Sequence, residues 1–493
     1  MLFEKGKEAI NLAKFSIITS ILEKSLNFIL IPIYTSFLSP ADYGVLGLLI
    51  VSTTWMENFI NAPVTNGITR GYYDPAYKKD LWSIIFSGYS FILLQLFLVF
   101  TIYLSMVDQF SIFVLGSMDY INEAKLFCWV IIFLPIANTT ESLIRVKGRA
   151  KRIAITNLNK FIIVGCLQIF MLIKLSFGIK AMIVGLIIGS LIKIFSYSFL
   201  IIKNLKFNFK FTYLKSLLGY GYPLVIASIS GGTLAFLERY LIRENIDLHN
   251  VGIYSFAITI SSLVYILFTT PLKFSYVPII YKMEDQPKNQ RYLVSKFCNY
   301  SMAYALFIWL IISLNSNIIV KLLASDAQFY PSSSLVPQLG LLGVFLGLST
   351  FVSNGLTMKR KAFTVSLIAT SKLIISSVLL IIFIPKYGLL GAAYSLCLSN
   401  FINILIKGYS SKAYYGQTFE VKKLIFVFSL AIFVFVISSY MKIFSDNIYI
   451  ELLINFIALA VYLLIILFSA FITKNERTQF FFYVRKFSLN IAR

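Results

Sequence analysis

Several ionisable residues interrupt long apolar stretches of this chain, and their types and spacing set the chemistry it can do. Glu23, Lys24, Glu57 and Lys372 fall near the middles of such stretches, and Lys160 and Lys193 lie about two turns from their ends. A charge at the centre of a membrane-crossing helix costs about 2.5–3.5 kcal/mol on insertion scales, so these side chains are expected to face water or one another. Lysines placed there can neutralise an anion, and carboxylates there can take up a proton or a sodium ion. Asn27 stands one turn beyond Glu23 and shares its face, and Lys24 reaches toward Asn27 by similar spacing. Thr54, Glu57, Asn61 and Thr65 follow at helical steps and draw a polar stripe along an apolar cylinder. Lipid rejects that stripe, whereas a wet cavity accepts it, and so does a neighbouring helix that hydrogen-bonds to it. Lys24, Lys372, Lys160, Lys193, Asn27 and Asn61 are therefore the expected lining of an anion-binding cavity, with Glu23 and Glu57 the expected ion-coupling carboxylates. Snorkelling to headgroups is the competing reading of Lys160 and Lys193. Arg70 and Glu141 read as loop-packing residues, and Glu238 with Arg239 as a structural or gating ion pair.

The elements that must position these residues follow from composition. The chain has 493 residues, is 58% hydrophobic and only 13% charged, and has a mean hydropathy of +0.81. A water-soluble globule cannot carry that balance. Fourteen apolar runs, from 14–37 and 44–68 through 363–384 and 389–408 to 449–472, each suit the roughly 20 residues that cross a bilayer. Aromatic residues at 16% suit lipid-facing and interfacial positions. The fold class expected is an all-α polytopic membrane protein of about 14 transmembrane helices. With the N-terminus placed inside, inward loops collect roughly four basic residues for each one outside, so the positive-inside rule predicts N-in/C-in. The net charge of +23 is then explained by topology and by attraction to anionic inner-leaflet lipid, not by nucleic acid.

Catalytic signals are missing from the sequence. Cys128, Cys166, Cys298 and Cys397 all sit in apolar runs with no CxxC pair and read as small core residues. The one histidine, His249, reads as an ordinary solvated side chain in an outward loop. No phosphate-cradling glycine loop, HExxH or nucleophile elbow is present, and the longest inward connection, 273–296, is too short for a catalytic domain. The expectation is no enzyme, no cofactor and no metal.

Sliding the chain by 210 positions sets Arg149-Ala-Lys151 on Lys359-Arg-Lys361 and Phe177-Gly178 on Tyr387-Gly388; near 208, Tyr43-Gly44 falls on Val251-Gly252. The matches are short, but together they predict two six-helix lobes, 1–203 and 204–412, with 413–493 supplying two extra helices and a tail. Six spans per unit bring both units in from the same side, a parallel repeat about an axis along the membrane normal, as in alternating-access transporters. Gly219, Gly221 and Pro223, followed by Gly231 and Gly232, punctuate the seventh span and predict a bend that could serve as a gate, with close helix packing as the other reading.

Leu38-Ser-Pro-Ala-Asp42-Tyr43-Gly44, Gly219-Tyr-Gly-Tyr-Pro223, Glu238-Arg239, Val251-Gly252-Ile-Tyr254 and Tyr387-Gly388-Leu-Leu-Gly391-Ala392-Ala393 occur in an order that resembles one family over nearly the whole chain. The sequence is similar to the Wzx-type O-antigen flippases of the multidrug/oligosaccharidyl-lipid/polysaccharide export superfamily. It departs from them at Glu238, where the family often has Asp. The resemblance implies translocation of undecaprenyl-pyrophosphate-linked oligosaccharide across the bacterial cytoplasmic membrane through a central cavity. Membrane lipids, a polysaccharide polymerase and chain-length proteins are the implied partners. A drug or cation exporter of the same superfamily, a flippase for another cell-wall precursor, and an integral membrane polymerase or glycosyltransferase are the alternatives. The exporter is disfavoured by the buried lysines, and the polymerase by its need for a large outward loop.

Overall fold

The computed structural model describes residues 28–73, 80–203, 207–283, 285–359, 361–442, 447–469, 471 and 478; Glu23, Lys24 and Asn27 lie outside the described residues. Among the described residues the chain is helical, with no strand. The first half contains α1 (Phe28–Phe37), α2 (Pro40–Ile60), α3 (Ala62–Tyr73) and α4 (Leu81–Ser105). It continues with a short α5 (Val107–Phe110) that runs into a π turn (Ser111–Leu115), then α6 (Ile121–Val146), α7 (Ala150–Ile173) and α8 (Ile179–Ile202). The second half contains α9 (Phe211–Asn245), α10 (Leu248–Lys282), α11 (Pro287–Leu314), α12 (Ser316–Leu323) and a 3-10 turn (Ala327–Ser334). These are followed by α13 (Val336–Val352), α14 (Asn354–Met358), α15 (Ala362–Tyr415), α16 (Val421–Lys442) and α17 (Ile448–Phe468).

Eleven helical stretches among the described residues are long and apolar enough to cross a membrane, by length and composition. The expected second span runs through α2 and α3 with a break at Asn61, just before Pro63. The expected eleventh and twelfth spans are the two arms of α15, separated by Gly388. Basic residues gather at the helix ends around 145–152, 207–215, 285–296 and 359–361, which make up the lysine-rich face of the expected topology.

Local chemistry explains the sequence matches between the halves. Ser39 caps α2: its hydroxyl accepts from the Asp42 amide at 3.2 Å, while the Asp42 carboxylate accepts from the Ser39 amide at 2.9 Å. Pro40 supplies a preset first helical residue. At the equivalent start of α10, Asp247 accepts from the Asn250 amide at 2.7 Å, the same cap built from a different residue. Gly178 before α8 (φ 52°, ψ −129°) and Gly388 (φ 58°, ψ −135°) share a backbone conformation that L side chains avoid. That conformation is why aromatic-Gly recurs at an offset of 210.

The seam between the halves is reciprocal at the face opposite the lysines. A β-carbon on Gly44 would overlap the Leu248 carbonyl oxygen, and one on Gly252 would overlap the Pro40 carbonyl oxygen, so α2 and α10 touch backbone to backbone at paired positions. Beside this contact, Ser325 donates its amide to Thr35 Oγ1 at 3.0 Å, and Thr35 Oγ1 lies 3.2 Å from the Leu323 carbonyl. The mirrored contact comes from the other half, where Arg243 donates to the Ile112 and Phe113 carbonyls at 3.3 and 2.9 Å. Below that collar, α9 runs antiparallel along α2 and α3. Trp55 Nε1 donates to Thr233 Oγ1 at 2.9 Å and Asn58 Nδ2 to the Ser228 carbonyl at 3.1 Å. Nearer the lysine-rich face, a β-carbon on Gly221 would overlap the Pro63 carbonyl, and Gly67 presses on the Leu217 backbone.

Helices α16 and α17 are fastened to α11. Lys442 pairs with Glu451 at 3.1 Å and donates to the Leu314 carbonyl. Asn455 donates to Asn315 Oδ1 at 2.9 Å, and Tyr462 donates to the Ala303 carbonyl at 3.0 Å.

Candidate functional site

The polar stripe on α2 and α3 resolves into a zip against α6. Glu57 accepts from Asn138 Nδ2 at 2.9 Å, Asn61 Nδ2 donates to the Pro135 carbonyl at 2.6 Å, and Thr65 meets Thr139 at 3.4 Å. Thr54 leaves the stripe, exposed and bonded to the Ile50 carbonyl of its own helix. Helical spacing alone gave the shared face of Glu57, Asn61 and Thr65, while the identity of the facing helix comes only from the fold. Asn61 is buried, and its side-chain oxygen has no hydrogen-bond partner among the described residues.

Lys160 and Lys193 are brought together in a cavity of about 280 Å³ between α1, α6, α7 and α8. Tyr34 donates to Gln168 Oε1 across it at 2.7 Å. Gly185 leaves room for the Gln168 amide and Gly189 for the Lys160 stem. Lys193 Nζ lies 2.8 Å from Glu141 Oε2, and Glu141 Oε1 also accepts from Arg145 at 2.8 Å. The Lys193 and Glu141 side chains are 13% and 10% exposed, whereas Arg145 is 70% exposed at the lysine-rich face. Glu141, read from sequence as loop packing, is instead the acid that compensates a lysine inside the helical layer.

The second half carries a matching pair that differs in one respect. Lys372 lies on the first arm of α15 and Lys407 on the second, corresponding to α7 and α8 of the first half. Lys407 Nζ donates to Ser349 Oγ of α13 at 2.8 Å. Lys407 stands about two turns inside the end of α15 at Tyr415. The signal that could have found it is positional, since it sits about one turn from the repeat equivalent of Lys193. Lys372 has no ion pair within 4.0 Å among the described residues.

Glu238 and Arg239 are buried within α9, a turn or more before its end, because the helix continues to Asn245. Among the described residues they form no ion pair with a loop. Tyr254 donates to Glu238 at 3.3 Å, Arg239 Nε donates to Ser255 Oγ at 3.3 Å, and its NH1 donates to the Ala235 carbonyl at 3.1 Å. Through these contacts they hold α9 on α10. Gly219, Gly221 and Pro223 lie within α9, which runs as one helix of 35 residues with no break. Gly221 is a close-packing residue, whereas a β-carbon on Gly219 or Gly231 would meet open space.

An apolar groove of about 570 Å³ opens between α11, α13, the second arm of α15 and α16, lined by Cys298, Met302, Phe401 and Phe428, with exposed Lys412 beside it. Cys128 and Cys298 are buried as expected, but Cys166 is exposed on α7. His249 sits in the first turn of α10, and no group of three metal-ligating side chains occurs among the described residues.

Comparison with known proteins places this arrangement. The lipid II flippase MurJ in an inward closed conformation superposes with a TM-score of 0.73 at 18% identity, covering 91% of this chain and 97% of that one. An inward-facing multidrug resistance MATE family transporter of the MOP superfamily gives 0.61 at 14% identity, over 79% and 94% of the two chains. The Vibrio cholerae MATE transporter VcmN in its bent form gives 0.51 at 12%, over 83% and 100%. These likenesses establish a shared fold. No curated protein matches the chain in sequence. The family model described as polysaccharide biosynthesis protein matches residues 33–327, well over half the chain, and the chain belongs to that family.

Proposed function

We propose that this protein is a flippase moving a polyprenyl-diphosphate-linked oligosaccharide across the bacterial cytoplasmic membrane by alternating access. Residues 1–203 and 204–412 would act as two lobes, with the lysine-rich face cytoplasmic and both termini inside. The observation that carries the reading is the placement of Lys160, Lys193, Lys372 and Lys407 on membrane-crossing helices of both halves, in a member of a polysaccharide biosynthesis family. A membrane lysine needs a counter-charge, and a lipid-linked glycan brings a diphosphate that lipid will not solvate. Lys24, with Asn27 and Asn61, would extend the polar path. Glu57 and Glu23 would bind the coupling proton or sodium ion. The Gly44–Gly252 contact would close the outer end, and Gly219, Gly221, Pro223, Glu238 and Arg239 would set how α9 moves between states. The apolar groove beside α16 suits a polyprenyl chain, and O-antigen units are the cargo this reading favours. Polymerase and chain-length proteins would receive it outside.

The similarity to the lipid II flippase favours a second reading, in which the cargo is a peptidoglycan precursor with the same diphosphate linkage. The two are separated by complementation. A strain lacking its O-antigen flippase should regain surface polysaccharide when this protein is expressed, whereas rescue only of a lipid II flippase deletion would transfer the assignment to the second cargo. Lys372→Ala should abolish rescue at normal protein abundance.

A further inference from the structure

Phe113 belongs both to a contact between the halves and to an apolar cleft. Its carbonyl accepts from Arg243 Nη2 at 2.9 Å, and its ring lies 5.0 Å from that of Tyr240, so backbone and side chain both hold the π turn to α9. Arg243 reaches across from the second half, lies over the Tyr240 ring at 5.0 Å and is only 6% exposed. Gly116, at φ 80°, ends the turn, and a β-carbon there would stand 2.7 Å from the guanidinium. The Phe113 side chain also walls a cleft of about 460 Å³ behind the turn, together with Met56 of α2, Val99, Ile102 and Tyr103 of α4, and Phe110 of α5. Among the described residues no charged side chain lines it. Gln109 is exposed, and the Tyr103 hydroxyl is engaged, donating to the Ala124 carbonyl at 2.9 Å.

The walls and surroundings of the cleft set its occupant. Its size falls within the roughly 300–1,000 Å³ of ligand sites, yet an apolar cleft offers water no partners. Ile102 and Phe113 are themselves exposed, and the exposed Leu94, Phe97 and Leu98 continue from them along α4, a helix long and apolar enough to cross a membrane. The cleft therefore opens to hydrocarbon. Left unfilled, it would deprive the Phe110 and Phe113 rings of contacts on one side. We propose that the cleft is a site for one acyl chain of a membrane phospholipid, and that the bound chain holds the π turn against Arg243, keeping the halves closed at the face opposite the lysines. With the chain in place, the Ile112 and Phe113 carbonyls stay aligned with the guanidinium. Without it, the turn is free to settle into the void and carry those carbonyls away. The consequence for transport rests on the flippase reading, whereas the binding of the chain does not.

The test uses the full-length protein in nanodiscs containing phosphatidylcholine with a diazirine in one acyl chain. Illumination should place adducts on Phe110 and Phe113 as well as on the exposed Leu94 and Phe97. Val99→Phe and Met56→Phe fill the cleft from different walls, and each should abolish the adducts at Phe110 while leaving those at Leu94 and Phe97. The hold on Arg243 is read by maleimide labelling of a cysteine placed at the buried Ser255, with the exposed Cys166 replaced by serine. Stripping the lipid with detergent should raise labelling by about fivefold or more, as should Arg243→Gln, and either filling variant should prevent the rise on stripping. No adduct at Phe110, or unchanged adducts in both filling variants, would overturn the site. Adducts at Phe110 from a diazirine-bearing polyprenyl diphosphate but not from the phospholipid would overturn the choice of occupant. Labelling that ignores lipid removal would overturn the hold on Arg243. If adducts and labelling behave as expected yet the reconstituted protein moves no lipid-linked oligosaccharide, the site stands and the flippase reading fails. If transport proceeds with no adduct at Phe110, the site fails and the flippase reading stands.

Discussion

The two halves of the molecule agree where they touch and disagree where they hold charge. Across the seam, Gly44 and Gly252 each press on a carbonyl of the other half, and Thr35 and Arg243 each reach the opposing end loop. Inside the halves, Lys193 meets Glu141 and Lys407 meets Ser349. The two glycine contacts at the seam are reciprocal, each pressing on a carbonyl near the start of the opposing helix. Charge placement diverges, with a carboxylate beside Lys193 and a hydroxyl beside Lys407.

The comparison is broken most strongly at the compensated pair. Glu141→Gln leaves Lys193 without its acid, and a loss of about 3 kcal/mol in stability is expected for a broken buried pair. The double variant Glu141→Gln with Lys193→Gln should recover most of it, as read by thermal unfolding in detergent. An unaltered melting temperature in Glu141→Gln would remove the distinction between the halves. Next comes the seam. Gly252→Val forces a side chain into the Pro40 carbonyl and should cost about 2 kcal/mol by overpacking. It should also raise maleimide labelling of a cysteine placed at Ser255; labelling equal to that of the cysteine variant alone would show that this contact does not close the seam. Removing the cap with Ser39→Ala should cost about 1 kcal/mol, measured by the same unfolding assay. The smallest effect is expected for Lys407→Gln, within about 0.5 kcal/mol of wild type or slightly stabilising, because it removes an unmatched charge. A loss as large as that of Glu141→Gln would mean that Lys407 has a resident partner.

What the sequence carried and what it did not follow the range of the interactions involved. Leu38 to Gly44 was legible because a capping box and a close-contact glycine are local, and Gly388 because its backbone excludes other residues. The face shared by Glu57, Asn61 and Thr65 was legible from helical spacing, but its partner α6 was not. Glu141 and Lys193 lie on different helices and nothing local joins them, so one was read as packing and the other as cavity lining. The inward turn of Lys407 was not legible because a lysine two turns from a helix end has the same local sequence whether it snorkels or turns inward. The close approach of Gly221 to Pro63 was not legible either, because it is visible only across the seam.

The central claim is that lysines of the membrane helices carry a lipid-linked diphosphate from one leaflet to the other. Its direct test is leaflet accessibility of a fluorescent polyprenyl-diphosphate oligosaccharide in vesicles containing the purified protein. The account predicts protein-dependent appearance of the label in the opposite leaflet, lost in Lys372→Gln at equal reconstitution. Transport at the wild-type rate in that variant, or no transport by the unaltered protein under an imposed proton or sodium gradient, would contradict it.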